Sequence, residues 1–216
     1  MEKLKGALFD LDGVLVDTAS YHYLAWKELA NELNIPFTKV DNERLKGVSR
    51  MASLDILLSL DKENKLYTSE QKEAMATRKN DLYVQLIRHM DASEILPGVV
   101  SLLKMLREQG VKIALGSASK NAPKIMASTG LSAFFDAVID GNVVANAKPD
   151  PEVFLKGAAA IGISPDECAV FEDAEAGLQA AKSAGCFAIG VGESVNLPSA
   201  DVVYSDLTLF DLSVYF

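Results

Sequence analysis

Six short apolar segments recur along the chain, each bounded by Gly, Ser, Asp or Pro. Their apolar residues are consecutive and do not alternate with polar ones, which is typical of strands buried on both faces of a sheet. The six predicted strands are Ala7–Leu11, Val111–Leu115, Ala137–Ile139, Ala169–Phe171, Phe187–Val191 and Val202–Tyr204.

Helical patterns fill four of the intervals between these strands. Each pattern ends shortly before a glycine, and one begins with a proline near its first turn. The alternation of strand and helix predicts an α/β fold with a doubly wound parallel sheet. The four predicted helices are Gly98–Gln109, Lys120–Ser128, Pro151–Ile161 and Ala174–Ala184.

The interval after the first strand contains only helical patterns. We therefore predict an inserted all-α cap domain at residues 18–91 and an α/β core at residues 1–17 and 92–216, with hinges at the segments VDT and DASEILPG. A capping box of Thr68 and Gln71 is expected to begin the third cap helix. The predicted inward positions are His22, Trp26, Leu29 and Leu33 in the first cap helix, and Met51, Leu54, Leu57 and Leu58 in a second helix after Ser49.

Charge and composition narrow the class of protein. The chain has 216 residues and a net charge of −9, which disfavours nucleic acid and anionic membranes as partners. No apolar segment is long enough to cross a bilayer and the N-terminus has no signal-peptide pattern, so we expect a cytoplasmic enzyme, and a monomer suits a moving cap. The two cysteines are expected to be buried hydrophobic residues, and two histidines are too few for a His-rich metal site.

Polar residues collect where the predicted strands end. Ligands bind beyond the carboxyl ends of strands in an open parallel sheet. The residues expected at this edge are Asp10 and Asp12 after the first strand, Ser117, Ala118 and Ser119 after the second, Lys148 in the loop VVANAKPDP, and Glu172 and Asp173 in AVFEDAEAG.

Four carboxylates in one crevice repel each other. Two unit charges ~4 Å apart cost about 4 kcal/mol at an effective dielectric constant near 20. A bound cation removes that cost, and ligands that are all hard oxygens favour Mg²⁺ over zinc or copper. Magnesium commonly shares its shell with a phosphate, which Lys148 and Ser117 are suited to bind.

Each of these residues also has a structural interpretation when it is taken alone. Asp10 is suited to a turn or a helix N-cap, Glu172 and Asp173 to capping the helix from Ala174, and Lys148 to a solvated loop. Their convergence at four strand ends favours the functional interpretation.

The spacing of the first two aspartates suits phosphoryl transfer. Residues i and i+2 of a strand point to the same side, so Asp10 and Asp12 can address one substrate. One carboxylate can accept a phosphoryl group as a nucleophile, and the other can give and take a proton.

Four motifs, FDLDGVLVDT, GSAS, AKPDP and FEDAEAG, together resemble the haloacid dehalogenase superfamily of phosphotransferases over essentially the whole chain. The resemblance implies that Asp10 is the nucleophile and that Asp12 is the acid–base, with its backbone carbonyl on Mg²⁺. It further implies that Ser117 and Lys148 bind the transferring phosphate, while Glu172 and Asp173 complete a site for one magnesium per chain.

The stretches YHYLAWK, LKGVSR, RKND and GSASKN are similar to those of the β-phosphoglucomutase family. That family interconverts β-glucose 1-phosphate and glucose 6-phosphate, with glucose 1,6-bisphosphate as intermediate and activating phosphodonor. The resemblance implies that His22 positions Asp12 with Lys79 as partner, and that Thr18 is a hinge residue. It places Lys46, Gly47 and Ser53 near the sugar, Arg50, Ser119, Lys120 and Asn121 on the phosphate that is not transferred, and Trp26 and Ala118 among the other substrate-binding candidates.

Simpler roles remain open for the cap residues. His22 and Trp26 are also suited to the cap core, Lys79 to the surface, and Arg50 and Lys46 to solvated helix ends.

Three other functions also remain open. A sugar-phosphate phosphatase has the same core, but a mutase needs a second anion pocket, for which Arg50 and Lys120 are suited, and a lid that excludes water. A signalling receiver domain carries its phosphorylated aspartate on a middle strand and lacks a cap. A non-catalytic binding protein would not need the full set of catalytic residues.

Overall fold

A six-stranded parallel sheet forms the centre of the molecule, which we describe from a computed structural model covering residues 3–63 and 65–216. The strand order β3-β2-β1-β4-β5-β6 reverses direction at β1, as the doubly wound prediction requires. The strands are β1 (Gly6–Phe9), β2 (Lys112–Gly116), β3 (Ala137–Ile139), β4 (Cys168–Glu172), β5 (Phe187–Val191) and β6 (Val202–Tyr204).

All six predicted strands exist, and their ends differ from the prediction by at most two residues. The largest difference is at β1, which ends at Phe9 and not at Leu11. The chain turns soon afterwards at Gly13, whose φ of +81° is accessible to glycine without strain. The Asp10 amide still donates to the Phe171 carbonyl of β4 over 2.9 Å, so Asp10 lies at the very end of the sheet and Asp12 lies in the turn.

Both faces of the four central strands are covered. Phe9 and Phe171 stack with ring centroids 4.4 Å apart on one face, where the C-terminal residues also pack. Leu8 and Val170 pack on the other face. The edge strands β3 and β6 are only partly buried, so the prediction of full burial was wrong for them. An edge strand has one neighbouring strand, and its short apolar run does not reveal that position.

Four helices flank the sheet: α5 (Val99–Glu108), α6 (Ala122–Thr129), α7 (Glu152–Ile161) and α8 (Glu175–Ala184). Helix α6 begins two residues later than predicted. Ser117 Oγ accepts a hydrogen bond from the amide of Ser119, and Ser119 Oγ accepts one from the amide of Asn121. These turns hold the segment before α6 in a loop.

The segment between β1 and α5 is helical and forms a cap: α1 (Ala19–Glu32), α2 (Lys39–Glu43), α3 (Arg50–Leu58) and α4 (Ser69–Leu86). The capping box of Thr68 and Gln71 at the start of α4 is present as predicted. Leu54 and Leu57 are buried, but Met51 is 38% exposed, so its predicted inward position was wrong. Met51 lies in the first turn of α3, where it lines the cavity described below and not the cap core.

Helix α2 was not predicted. Thr38 begins it with a capping box in which the amide of Thr38 donates to Asp41 Oδ2 and the amide of Asp41 donates to Thr38 Oγ1. Five residues are too few for a hydrophobic period to be visible in the sequence.

The two connections between cap and core lie side by side. The amide of Leu96 donates to the Leu15 carbonyl over 3.0 Å, and the amide of Asp17 donates to the Glu94 carbonyl over 2.9 Å. Val16 and Ile95 form an antiparallel bridge between these bonds. The segments predicted as hinges are thus paired with each other.

No helix within the described ranges is both long and apolar enough to cross a membrane.

Candidate active site

A cavity of about 540 Å³ lies between the cap and the carboxyl edge of the sheet. The cap contributes residues of all four of its helices to the wall, and the core contributes residues that follow β1, β2, β3 and β4. Each end of this cavity carries a distinct group of polar side chains.

Three carboxylates cluster at the end nearest the sheet. Strands β1 and β4 are neighbours and Phe9 pairs with Phe171, so the residues that follow them lie together. Asp10, Glu172 and Asp173 each offer an oxygen, and these oxygens all lie within 4.8 Å of one another. A Cβ atom at Gly13 would lie 2.2 Å from Asp173 Oδ2, so only glycine leaves room for this carboxylate.

The protonation equilibria of this cluster indicate a cation site. Burial raises the pKa values of Asp10 and Glu172, and burial together with the charge of Asp10 raises the pKa of Asp173 to about 7. Carboxylates crowded in this way need a positive charge to stay ionised, and an all-oxygen donor set fits Mg²⁺. The residues present are therefore suited to the magnesium ion.

Lys148 supplies one positive charge to the same end of the cavity. Its Nζ lies 2.5 Å from Asp10 Oδ1 and 3.3 Å from Glu172 Oε1. Burial alone would lower the pKa of Lys148, but the two carboxylates outweigh it and raise the pKa. Lys148 is therefore a permanent cation beside Asp10, and Ser117 lies fully buried at the end of β2.

Asp12 lies in a different environment from Asp10. Thr18 Oγ1 donates a hydrogen bond to Asp12 Oδ1, and His22 Nε2 lies 3.7 Å from the same oxygen. Burial would raise the pKa of Asp12, but these two partners outweigh it and lower the pKa. The carboxylate form of Asp12 is thus stabilised mainly by His22 and Thr18, whereas Asp10 is paired with Lys148.

Lys79 contacts the ring nitrogen of His22 that faces away from Asp12, with Nζ 2.9 Å from His22 Nδ1. Lysine donates here, so a neutral His22 carries its proton on Nε2 and presents it to Asp12. Burial and the charge of Arg50 lower the pKa of Lys79 to about 7. The Lys79 ammonium lies 4.6 Å from the ring centroid of Trp26 and 4.9 Å from that of Tyr83, which also packs on His22.

The opposite end of the cavity joins cap to core. Arg50 Nη2 donates to Asn80 Oδ1 over 2.7 Å, and Asn121 Nδ2 donates to the same oxygen over 3.1 Å. Ser119 and Lys120 lie in the same core loop and line the cavity. This end therefore offers a guanidinium, an ammonium and amide groups.

The cap also contacts the core beside the acidic cluster. Lys46 Nζ lies 3.6 Å from Asp173 Oδ2, and a Cβ atom at Gly47 would lie 2.9 Å from the Cβ of Ala174. The cap thus lies against the core, close enough to cover the acidic cluster.

Comparisons with known proteins agree with this geometry. A family model described as haloacid dehalogenase-like hydrolase matches residues 4–185. The chain belongs to this family. Within it, the chain is 46% identical to β-phosphoglucomutase of Bacillus subtilis over 95% of this chain and 92% of that protein, and 34% identical to β-phosphoglucomutase of Mycobacterium tuberculosis over 95% and 91%.

Solved structures of family members have the same fold. A crystal structure of β-phosphoglucomutase from Clostridium difficile matches with a TM-score of 0.92 and 41% identity, covering 98% of this chain and 95% of that one. The chain is also 31% identical to a phosphorylated carbohydrates phosphatase of Thermotoga maritima, over 89% of this chain and 88% of that protein.

Most of the site residues predicted from the sequence face the cavity of this family member. Thr18 and Glu172 do not line it: Thr18 is fully buried against Asp12, and Glu172 is the fully buried member of the acidic cluster. Ser53 is buried and donates to the Leu45 carbonyl over 3.3 Å. The predicted residues that line the cavity are Asp10, Asp12, His22, Trp26, Lys46, Gly47, Arg50, Ser53, Lys79, Ser117, Ala118, Ser119, Lys120, Asn121, Lys148 and Asp173.

Seven further polar residues of the wall were not predicted as site residues: Asn42, Ser49, Glu73, Thr77, Asn80, Tyr83 and Asn146. Tyr83 follows Lys79 by one helical turn, a spacing that places both on one face of α4. That signal was present in the sequence, whereas a lone asparagine in a helix carries none.

Proposed function

We propose that this protein is a phosphomutase that interconverts β-glucose 1-phosphate and glucose 6-phosphate through an aspartyl phosphate and glucose 1,6-bisphosphate. The observation that carries the proposal is that one covered cavity has anion-binding groups at both ends, Lys148 and Ser117 at one and Arg50 and Lys120 at the other. The names of the relatives from Bacillus subtilis and Mycobacterium tuberculosis support the same activity.

Asp10 is the nucleophile of the proposed reaction. A carboxylate oxygen of Asp10 forms a bond to phosphorus while the bond from phosphorus to the sugar oxygen breaks. The ammonium of Lys148, 2.5 Å from Asp10 Oδ1, stays close to the transferring group and stabilises its charge. In the return step a hydroxyl of the other sugar carbon attacks the phosphorus, and the Asp10 carboxylate leaves.

Asp12 moves the proton. It gives a proton to the departing sugar oxygen and takes one from the attacking hydroxyl. His22 and Thr18 hold its carboxylate away from Asp10, and Lys79 fixes the imidazole.

Magnesium is the cofactor of this proposal, one ion per chain. Asp10, Glu172 and Asp173 would hold it with carboxylate oxygens, and Asp12 with its backbone carbonyl. When bound, the ion supplies positive charge that neutralises the acidic cluster and the phosphoryl oxygens. Lys46 contributes a further positive charge from the cap side.

Binding of the second phosphate separates a mutase from a phosphatase. A bisphosphorylated sugar needs a cationic group away from the magnesium end, and Arg50 meets that need from the cap. The same sugar has to turn round without loss of phosphate to water, so a cap that covers the site suits a mutase. The alternative is a sugar-phosphate phosphatase, for which the Thermotoga maritima relative is the precedent.

The remaining properties follow from this proposal. Glucose 1,6-bisphosphate serves as the activating phosphodonor, because it loads Asp10 without product formation. We infer a cytoplasmic protein that acts on a small sugar phosphate, and a monomer, because a monomer suits a moving cap. The net charge of −9 disfavours nucleic acid and anionic membranes as partners.

A product assay tests the proposal. Purified protein receives β-glucose 1-phosphate, Mg²⁺ and a trace of glucose 1,6-bisphosphate, and glucose 6-phosphate and free phosphate are measured together. We expect glucose 6-phosphate to form far faster than free phosphate. Equal or faster release of free phosphate would favour the phosphatase.

A further inference from the structure

We propose that Asn80 is a positioning residue that fixes Arg50 at the far end of the cavity and ties it to the core when the cap is closed. The proposal rests on the proposed function, because it assigns how the second phosphate site is assembled. Asn80 is part of α4, the helix that also provides Lys79, the partner of His22, to the same cavity.

The oxygen of the Asn80 amide accepts two hydrogen bonds. A guanidinium can only donate, so the atom that faces Arg50 Nη2 at 2.7 Å is the amide oxygen. That oxygen can only accept, so the atom of Asn121 at 3.1 Å is its amide nitrogen. The chemistry of the partners therefore fixes the orientation of both amides.

The two donors belong to different parts of the molecule. Arg50 begins α3 in the cap, and Asn121 precedes α6 in the core. Asn80 thus holds the cap guanidinium and the core loop through one atom. If the cap moves away from the core, the bond to Asn121 is lost.

A neutral partner suits this position. The Asn80 amide holds one side of the guanidinium without adding a negative charge beside it, so the remaining N–H groups can bind a phosphate. A carboxylate at position 80 would keep both hydrogen bonds but would neutralise Arg50 and repel the phosphate. This difference separates a positioning role from a purely structural one.

Asn80 also links the two ends of the cavity. Lys79 contacts His22 and thereby the acid–base Asp12, while the next residue contacts Arg50. One rigid helix therefore sets the distance between the transferring end and the second phosphate site.

The test compares Asn80→Ala and Asn80→Asp with the wild type in the mutase assay, with glucose 1,6-bisphosphate as the varied ligand. Because a hydrogen bond to a charged group is lost, we expect Asn80→Ala to raise the KM for the bisphosphate about tenfold and to change kcat less. Asn80→Asp should raise the KM further. A wild-type KM in Asn80→Ala, or in Asn80→Asp, overturns the proposal.

A double-mutant cycle shows whether Asn80 acts through Arg50. In the Arg50→Ala background, Asn80→Ala should add little, because its partner is already absent. Additive effects contradict the assignment. Asn31→Ala is the matched control, since Asn31 is exposed on α1 of the same cap, and it should behave as wild type.

Folding does not confound the comparison. Alanine is a better helix former than asparagine, so α4 should persist in Asn80→Ala, and the melting temperature checks this. Asn121→Ala removes the hydrogen bond between Asn121 and Asn80 from the core side, and it should also raise the KM for the bisphosphate. An unchanged KM in Asn121→Ala contradicts the link to the core.

A binding titration separates this proposal from the proposed function. Trp26, the single tryptophan, lines the cavity and reports binding of glucose 1,6-bisphosphate by fluorescence. If the wild type makes no glucose 6-phosphate but binds the bisphosphate more tightly than Asn80→Ala, the proposed function fails and the role of Asn80 stands. If the wild type is an active mutase but binds the bisphosphate no more tightly than Asn80→Ala does, the proposed function stands and the role of Asn80 fails. A wild type that does not bind the bisphosphate overturns both proposals.

Discussion

Asp10 and Asp12 are separated by one residue, yet their environments shift their pKa values in opposite directions. Burial raises the pKa of Asp10, whereas the nearby His22 ring and the hydrogen bond from Thr18 outweigh burial and lower the pKa of Asp12. Two carboxylates with such different surroundings are suited to different roles in one reaction. Their roles can therefore be separated by single substitutions.

Asp10→Asn should abolish transfer, because an amide cannot accept the phosphoryl group. Asp12→Asn should slow turnover by about 10²–10⁴-fold while substrate still binds, because only the proton transfer is lost. Formation of phosphoenzyme in the first variant and steady-state rates in the second are the measurements. Full activity of Asp10→Asn would refute the assignment of the nucleophile.

Lys79 gives the protein a pH-dependent stability. The pKa of Lys79 falls from its usual 10.5 to about 7 in the folded state, mainly through burial. Between these values the unfolded chain binds more protons than the folded one, so this residue adds stability as the pH rises from about 7 to 10.5.

In Lys79→Met this contribution should be absent. The variant should gain stability over the wild type by a few kcal/mol near pH 6, and the difference should shrink towards pH 10. Urea unfolding of both proteins across this range measures it. A constant difference at every pH would show that Lys79 is not buried as a charge.

The residues of the acidic cluster were predictable from the sequence, and Tyr83 could have been predicted from its spacing to Lys79, whereas Asn80 could not. Asp10, Lys148, Glu172 and Asp173 follow strands, and the carboxyl ends of parallel strands meet at one edge whatever the details of packing. Asn80 acts through contacts with two distant segments, which no local pattern encodes.

At the level of secondary-structure elements, the start of α8 shapes the acidic cluster. A Cβ atom at Gly177 would lie 1.7 Å from Glu172 Oε1, so the first turn of the helix leaves the space that this carboxylate occupies. Strand β4 and helix α8 can therefore place Glu172 only because residue 177 has no side chain.

Gly177→Ala should displace Glu172 and weaken Mg²⁺ binding about 10–100-fold, the cost typical of a disturbed metal environment. Calorimetric titration with Mg²⁺ at pH 8, above the pKa of Asp173, measures the affinity. Gly157→Ala in α7 is the control, because its Cβ would lie 3.4 Å from Leu8 Cδ2 in ordinary contact. Equal affinities in the two variants would contradict the prediction.

The elements themselves followed from the sequence to a good degree. Buried strands and helices that end at glycines carry strong local signals, so six strands and the core helices were predicted within two residues. These local sequence signals did not predict burial where burial depends on the place of an element in the fold. Edge strands β3 and β6 have the apolar sequence of inner strands, and Met51 faces a cavity that no periodicity predicts.

For the whole molecule, the cap contacts the core at both ends of the site. Lys46 contacts Asp173 at one end, and Asn80 contacts Asn121 at the other. The insertion of the cap after β1 was predictable, because an interval with only helical patterns interrupts the alternation. Its closed position was not, because the contacts that hold it are polar and few.

Arg50→Ala should affect the two possible activities differently. Loss of a charge-assisted contact to the second phosphate should reduce mutase turnover about 10–100-fold. Hydrolysis of acetyl phosphate, which has one phosphate, should change much less. Parallel assays of both activities check this, and equal losses would remove the role of Arg50 at the far end of the cavity.

The paired connections at Val16 and Ile95 have a consequence for how such proteins diversify. The chain leaves the sheet and returns to it at adjacent points, so the inserted helices form a closed excursion that the strand order does not depend on. A different module whose two ends lie equally close could be spliced into the same place. Substrate preference could then be exchanged while the phosphate chemistry stays intact.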